Sequence, residues 1–194
     1  MAIQIVCIAG PTASGKSSRA VEEALGRSTS TGEALARGGL PAGRQGEIIS
    51  VDSRQVYRGL DIGTEKITAE EMHGVPHHII DIRDVTETYS AGDFVADATR
   101  LIAEISVRGK LSILVGGAHF YFDALTRGLP TNIAPNLQLR KKLEALSSGE
   151  LFAQVKERDP RRADELDPQN RRRLIRALEI IESLGTVPPR SKEV

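Results

Sequence analysis

Eight residues, GPTASGKS from Gly10 to Ser17, follow a short apolar run from Ile3 to Ala9 and constrain the chain more than any other stretch. The spacing is a glycine, four residues, then Gly-Lys and a hydroxyl, with a β-rich run before it and a helical pattern after it. Gly10 and Gly15 let the backbone turn N–H groups inward, and the helix starting near Lys16 turns its positive dipole end to the same point. Such a loop grips phosphate. Lys16 offsets terminal phosphate charge and Ser17 offers a hydroxyl to Mg²⁺, while Pro11, Thr12, Ala13 and Ser14 complete the turn and Ser18 serves the helix alone. The bland reading is a Gly-rich turn with no ligand. The motif does not say whether the bound molecule donates a phosphate or departs as one.

The surrounding pattern predicts an α/β fold. The run from Ile3 to Ala9 reads as a strand buried on both faces, and Glu47 to Val51, His77 to Ile82 and Leu111 to Val115 read as three more. Between the last two, Phe94, Ala98, Leu101, Ile102 and Ile105 recur at helical spacing, with Ser90 and Asp93 as a capping box and Gly109 as the stop. Strands separated by helices favour a parallel sheet with right-handed crossovers. After Val115 no further strand is evident. The segment from Arg27 to Gly46 reads as a mobile surface insertion, and from Pro135 onward the chain turns polar and helical until Pro188 and Pro189 end the last helix. The expected domains are an α/β core over 1–130 and a helical segment over 131–194.

Composition narrows the partners. With 26 basic and 26 acidic residues in 194, no global field draws the chain to nucleic acid or membrane, so any such partner must meet a local patch. No run approaches the roughly 20 apolar residues that span a bilayer. The lone Cys7 excludes a disulfide framework and reads as a buried thiol. A monomer in the cytoplasm is expected.

Asp52 ends the second strand, and in open α/β sheets ligands gather at the carboxyl ends of strands. It reads either as a carboxylate facing the group that accepts from the loop or as the N-cap of the segment from Ser53. Spacing alone does not separate a metabolite kinase, in which the acid orients an acceptor hydroxyl, from another transferase. Near the C-terminus, Arg172, Arg173 and Arg176 lie on one helix face opposite Leu174, Leu178 and Ile181, which also describes a solvated amphipathic face. His73, His77 and His78 lack a ligand cluster and read as strand and turn residues. His119 has no derivable role, and Tyr57, Tyr89 and Tyr121 suit either base stacking or core packing.

In order along the chain, GPTASGKS, DSRQVYRGLDIGTEK, GVPHHIIDI with YSAGDF, RGKLSILVGG and DPQNRRRLIRALE resemble the tRNA dimethylallyltransferase (tRNA isopentenyltransferase) family. The resemblance implies a P-loop NTPase-like parallel sheet flanked by helices, with a helical C-terminal appendage. It also implies transfer of a dimethylallyl group from its diphosphate to the exocyclic amine of the adenosine beside the tRNA anticodon. In that chemistry Gly10 to Ser17 hold the departing pyrophosphate with Mg²⁺, and Asp52 is the general base. Ser53, Arg54 and Gln55 meet the target nucleotide together with Asp52, while Arg140, Arg172, Arg173 and Arg176 meet tRNA. An adenosine in a stacked loop must be extruded to reach such a site. Position 118 is Ala118, where the family has Thr beside the breaking bond. The family also continues on the order of a hundred residues past the ALE helix, so an exposed sheet edge is expected. A truncated homologue that binds diphosphate, nucleotide or tRNA without turnover is the alternative, beside the kinase.

Overall fold

The computed structural model describes residues 5–11, 13–27, 45–129 and 133–189. The expected insertion therefore lies almost wholly outside the described residues, as does Thr12. The chain divides into two compact units, 1–128 and 129–194.

In the first unit β1 (Ile5–Ala9), β2 (Gly46–Ser50), β3 (His77–His78) and β4 (Leu111–Gly116) form a parallel sheet in the order β1-β4-β2-β3. The register sets Ile48 beside Ile113 and Ile49 beside Leu114. Alternation along the strands then divides the apolar side chains between two faces. Ile48, Ile113 and Val115 pack with Ala20, Val21 and Ala24 of α1 (Lys16–Ala24). Ile49, Val51 and Leu114 pack with Phe94, Ala98, Leu101 and Ile105 of α2 (Ala91–Val107) and with Tyr121 of α3 (His119–Arg127). Helices on both faces bury β2 and β4 completely.

The capping box forms as the sequence predicts. Ser90 Oγ accepts from the Asp93 amide at 3.2 Å, and the Asp93 carboxylate accepts from the Ser90 amide at 2.8 Å. Gly109 takes the left-handed conformation that ends the helix, at φ 71°.

Three expectations are corrected. The first strand is not buried on both faces: among the described residues β1 pairs only with β4, Ile5 is 44% exposed, and Cys7 lies on the exposed side rather than in the core. A strand at the sheet edge has a neighbour on one side only, and here the face that carries Ile5, Cys7 and Ala9 is left open among the described residues. The third strand stops at His78 instead of Ile82. Ile79 and Asp81 adopt φ of 60° and 54°, which swings the chain away from β2, so that the Ile82 and Arg83 amides donate to Val56 O instead. The last helix ends at Leu184, where Gly185 at φ 82° closes it four residues before Pro189.

The second unit holds α4 (Leu137–Glu144), α5 (Ser148–Arg158), α6 (Pro160–Asp164) and α7 (Arg171–Leu184). Leu143, Leu151, Val155, Leu174, Leu178 and Ile181 form its core. Leu137, the first residue of α4, is 69% exposed.

Candidate functional site

The glycine loop is tied to the sheet at its start. Gly10 N donates to Gly116 O at 3.3 Å, which fixes the first loop residue against the end of β4. Ala13 and Gly15 take φ of 62° and 74°, and Gly15 stands at the N-cap of α1 with no side-chain cap. No acidic residue occupies the first turn of α1, so nothing there competes with an anion for the helix amides. Lys16 Nζ bends back to donate to Pro11 O at 3.0 Å, keeping its charge over the loop. Pro11, Ala13 and Ser14 are exposed along the rim, and Ser17 follows Lys16 on the first turn.

Asp52 stands at the end of β2. Its Oδ1 accepts from the amides of Arg54 at 2.8 Å and Gln55 at 3.3 Å, which closes the turn after the strand, while among the described residues Oδ2 takes no hydrogen bond. Oδ1 therefore makes the capping contact, and the acid reading would rest on Oδ2. Ser53 and Arg54 are exposed. Gln55 is engaged: its Oε1 accepts from Ser50 Oγ at 3.1 Å, and its Nε2 donates to Thr64 O at 3.0 Å. That bond docks the turn at Ile62–Thr64 beside Asp52. Lys66 locks the same turn, with Nζ 2.6 Å from both Asp61 and Asp81 and 2.8 Å from Tyr57 O. Burial opposes its charge, but the two carboxylates outweigh that and hold its pKa above the ordinary lysine value.

One glycine brings the loop and the acid together. A Cβ on Gly116 would lie 1.9 Å from Val51 O, a distance no side chain tolerates, so β4 and the end of β2 meet only through glycine. Ala118 N then donates to the same Val51 O at 3.1 Å, placing Ala118 next to the residue that precedes Asp52. Ala118 is the N-cap of α3, without a side-chain cap. The first glycine of VGG could have been found from sequence, as a doubled glycine closing a buried strand.

These elements line a small cleft that opens to solvent, with Lys16, Ser17, Asp52, Gln55 and His77 on its polar side. Ala20, Ile48, Ile67, Ile80 and Val115 supply an apolar wall. Sequence reasoning missed that wall, since its members come from α1, two strands and two loops with no common spacing. His77 was read as a strand residue and also lines the cleft. Its Nδ1 contacts Val75 O at 2.8 Å, and burial holds its pKa below the ordinary histidine value. His78 instead meets Glu47 at 2.8 Å, where Arg108 and Lys110 also converge. Among the described residues no group of three or more His, Cys, Asp or Glu could hold a metal. Tyr89 and Tyr121 belong to the core, and Tyr121 stacks on Phe94 at 4.7 Å.

In the second unit the arginines separate into two kinds. Arg172 and Arg173 are exposed at the start of α7. Arg140 and Arg176 both turn to Glu179, whose side chain is fully buried. Arg140 Nε and Nη2 donate to Oε1 and Oε2 at 2.8 and 2.9 Å, Arg176 Nη1 donates to Oε2 at 3.2 Å, and the Asn136 amide donates to Oε1 at 2.9 Å. Arg171, a residue with no earlier assignment, donates to Leu146 O at 2.6 Å and Glu144 O at 3.0 Å, and so joins α7 to the end of α4.

A parallel sheet with a phosphate loop after β1 and an acid closing β2 defines a P-loop NTPase-like α/β protein. Solved structures agree with this. A eukaryotic dimethylallyltransferase acting on tRNA superposes with a TM-score of 0.75 at 28% identity, over 96% of this chain and 43% of that one. The tRNA isopentenylpyrophosphate transferase of Bacillus halodurans gives a TM-score of 0.56 at 41% identity, over 96% of this chain and 58% of its own. The tRNA dimethylallyltransferase of Paracidovorax citrulli is 46% identical over 179 residues, which is 90% of this chain and 47% of that protein. The family model described as IPP transferase matches residues 55–193. The chain belongs to the IPP transferase family, and it spans about half the length of the curated relatives it matches.

Proposed function

We propose that the chain carries the prenyl-transfer site of a tRNA dimethylallyltransferase, which moves a dimethylallyl group from its diphosphate to the exocyclic amine of the adenosine beside the anticodon, in the cytoplasm. The observation that carries this reading is the two-sided cleft. Lys16 and Ser17 suit a diphosphate, Ile48, Ile67, Ile80 and Val115 suit a branched hydrocarbon, and Asp52 lines the same space. A nucleotide-dependent kinase would have little use for the apolar wall.

The loop amides and Lys16 would take up charge as the diphosphate departs. The amine lone pair forms the new C–N bond as the allylic C–O bond breaks, its electrons leave on the diphosphate, and the amine proton passes to Asp52 Oδ2. Held by two backbone amides at Oδ1, Asp52 keeps that second oxygen free and oriented. Holding a weakly nucleophilic amine in line with the allylic carbon supplies much of the rate. Mg²⁺ prefers oxygen ligands and keeps few protein contacts beside phosphate oxygens, and the Ser17 hydroxyl on the cleft wall fits that demand. When bound it would neutralise leaving-group charge. Arg54, Arg140, Arg172, Arg173 and Arg176 would meet RNA, mainly through phosphate.

The test is incubation with unmodified tRNA, dimethylallyl diphosphate and Mg²⁺, followed by mass spectrometry of the nucleosides. Prenylated adenosine above an Asp52→Asn control supports the proposal. Binding of diphosphate and tRNA with no product supports the second reading, a homologue impaired at Ala118, whose side chain cannot donate a hydrogen bond toward the leaving group.

A further inference from the structure

Glu179 is the only fully buried side chain among the described carboxylates that two arginines share. It rises from α7, and its partners come from two helices, Arg140 from α4 and Arg176 from α7. Four hydrogen bonds of 2.8 to 3.2 Å saturate both carboxylate oxygens. Arg176 Nη2 is fixed further by Ile133 O at 2.8 Å. The two side chains nevertheless remain 35% and 34% exposed. Each planar fork has N–H groups tied inward, while among the described residues Nη1 of Arg140 and Nε of Arg176 make no hydrogen bond. One negative charge against two positive ones leaves the cluster net positive.

An arginine side chain free in water loses much rotamer freedom when it binds a phosphate. Here that loss has occurred on folding, because the buried carboxylate aims both forks before any ligand arrives. We propose that Glu179 is a positioning residue for RNA binding, which holds Arg140 and Arg176 side by side as a preformed phosphate-contacting pair. The inference rests on the reading of tRNA as substrate.

It has a counterintuitive consequence. Glu179→Gln raises the local charge by one, so a surface that binds RNA by charge alone would bind more tightly and with a steeper salt dependence. A positioned pair behaves in the opposite way: affinity for a tRNA anticodon stem-loop falls about tenfold, and the slope of log K against log salt becomes shallower by roughly 1 to 2, as expected when one or two phosphate contacts are lost. Arg140→Lys keeps the charge but cannot span both carboxylate oxygens, and the same loss of slope is expected, which keeps the test available should Glu179→Gln fail to fold. Filter binding at several salt concentrations reads both variants beside the unaltered chain. Unchanged or tighter binding by the variants, with stem-loop binding by the unaltered chain intact, overturns the positioning role alone. No stem-loop binding by the unaltered chain overturns the substrate reading and the inference with it.

Discussion

Val51 O and Gly116 stand so close that a single methyl on Gly116 would lie 1.9 Å from the carbonyl. That carbonyl is also the acceptor for Ala118 N at 3.1 Å, while Val51 N donates to Val115 O at 2.7 Å. The crossing of these two strand ends places Asp52 against the loop that begins at Gly10. Gly116→Ala is therefore expected to destabilise the fold by about 3 kcal/mol or more, as overpacking against rigid backbone does. Chemical denaturation of the variant checks this. A loss under 1 kcal/mol would show that the strand ends can separate and that the contact does not set the site.

Asp52→Asn separates the two roles of that residue. Asparagine keeps an Oδ1 acceptor for the Arg54 and Gln55 amides, so the turn should survive with stability within about 0.5 kcal/mol. Prenyl transfer should fall by roughly 10²–10⁴, because the amide cannot take the amine proton. Asp52→Ala should lose the same activity and also about 1 kcal/mol of stability. Measuring both quantities on both variants tells capping from catalysis.

Ala118→Thr is expected to stabilise the protein by about 1 kcal/mol. Ala118 occupies the N-cap of α3 without a side-chain cap, and a threonine hydroxyl there can accept from an amide of the first turn. Thermal denaturation reads the gain. The same hydroxyl adds a donor close to Asp52, so product yield in the nucleoside assay should rise rather than fall.

Acid should weaken the first unit through Glu47. Burial raises its pKa, but hydrogen bonds from Arg108, His78 and Lys110 outweigh it and leave the carboxyl at about 2, against an ordinary 4.5. A depressed carboxylate contributes stability that is present above about pH 4.5 and is lost as pH falls toward 2. With its cationic partners partly exposed, the contribution is discounted to on the order of 2 kcal/mol. Glu47→Gln should be less stable than the unaltered chain at pH 7, with the gap closing near pH 2 to 3. A gap that stays constant across that window would rule the carboxylate out as the source.

The Glu47 cluster also shows how far pattern reaches. Its place at the start of a buried strand was legible, but its partners lie 31 to 63 positions away and carry no shared spacing. Gln55 read as a nucleotide contact, and only the fold reveals that its amide also bridges Ser50 and Thr64.

What the sequence determined by itself was local chemistry and order. The loop spacing from Gly10 to Ser17, the Ser90 and Asp93 capping box, the apolar strand run in Leu111 to Val115 and the helical face of Leu174, Leu178 and Ile181 depend on near neighbours and on backbone geometry that repeats. Tertiary structure decided what depends on which strands become neighbours. Among the described residues it paired β1 with β4 alone and left the face that carries Cys7 exposed. It turned the chain at Ile79 so that β3 is short, and it gathered Ile48, Ile67, Ile80 and Val115 into one apolar wall. It also separated four similar arginines into a buried-anchored pair, Arg140 and Arg176, and an exposed pair, Arg172 and Arg173. The physical reason is that burial and partnership are properties of the assembled surfaces: a periodic pattern says which face is apolar, and only packing says what lies against it.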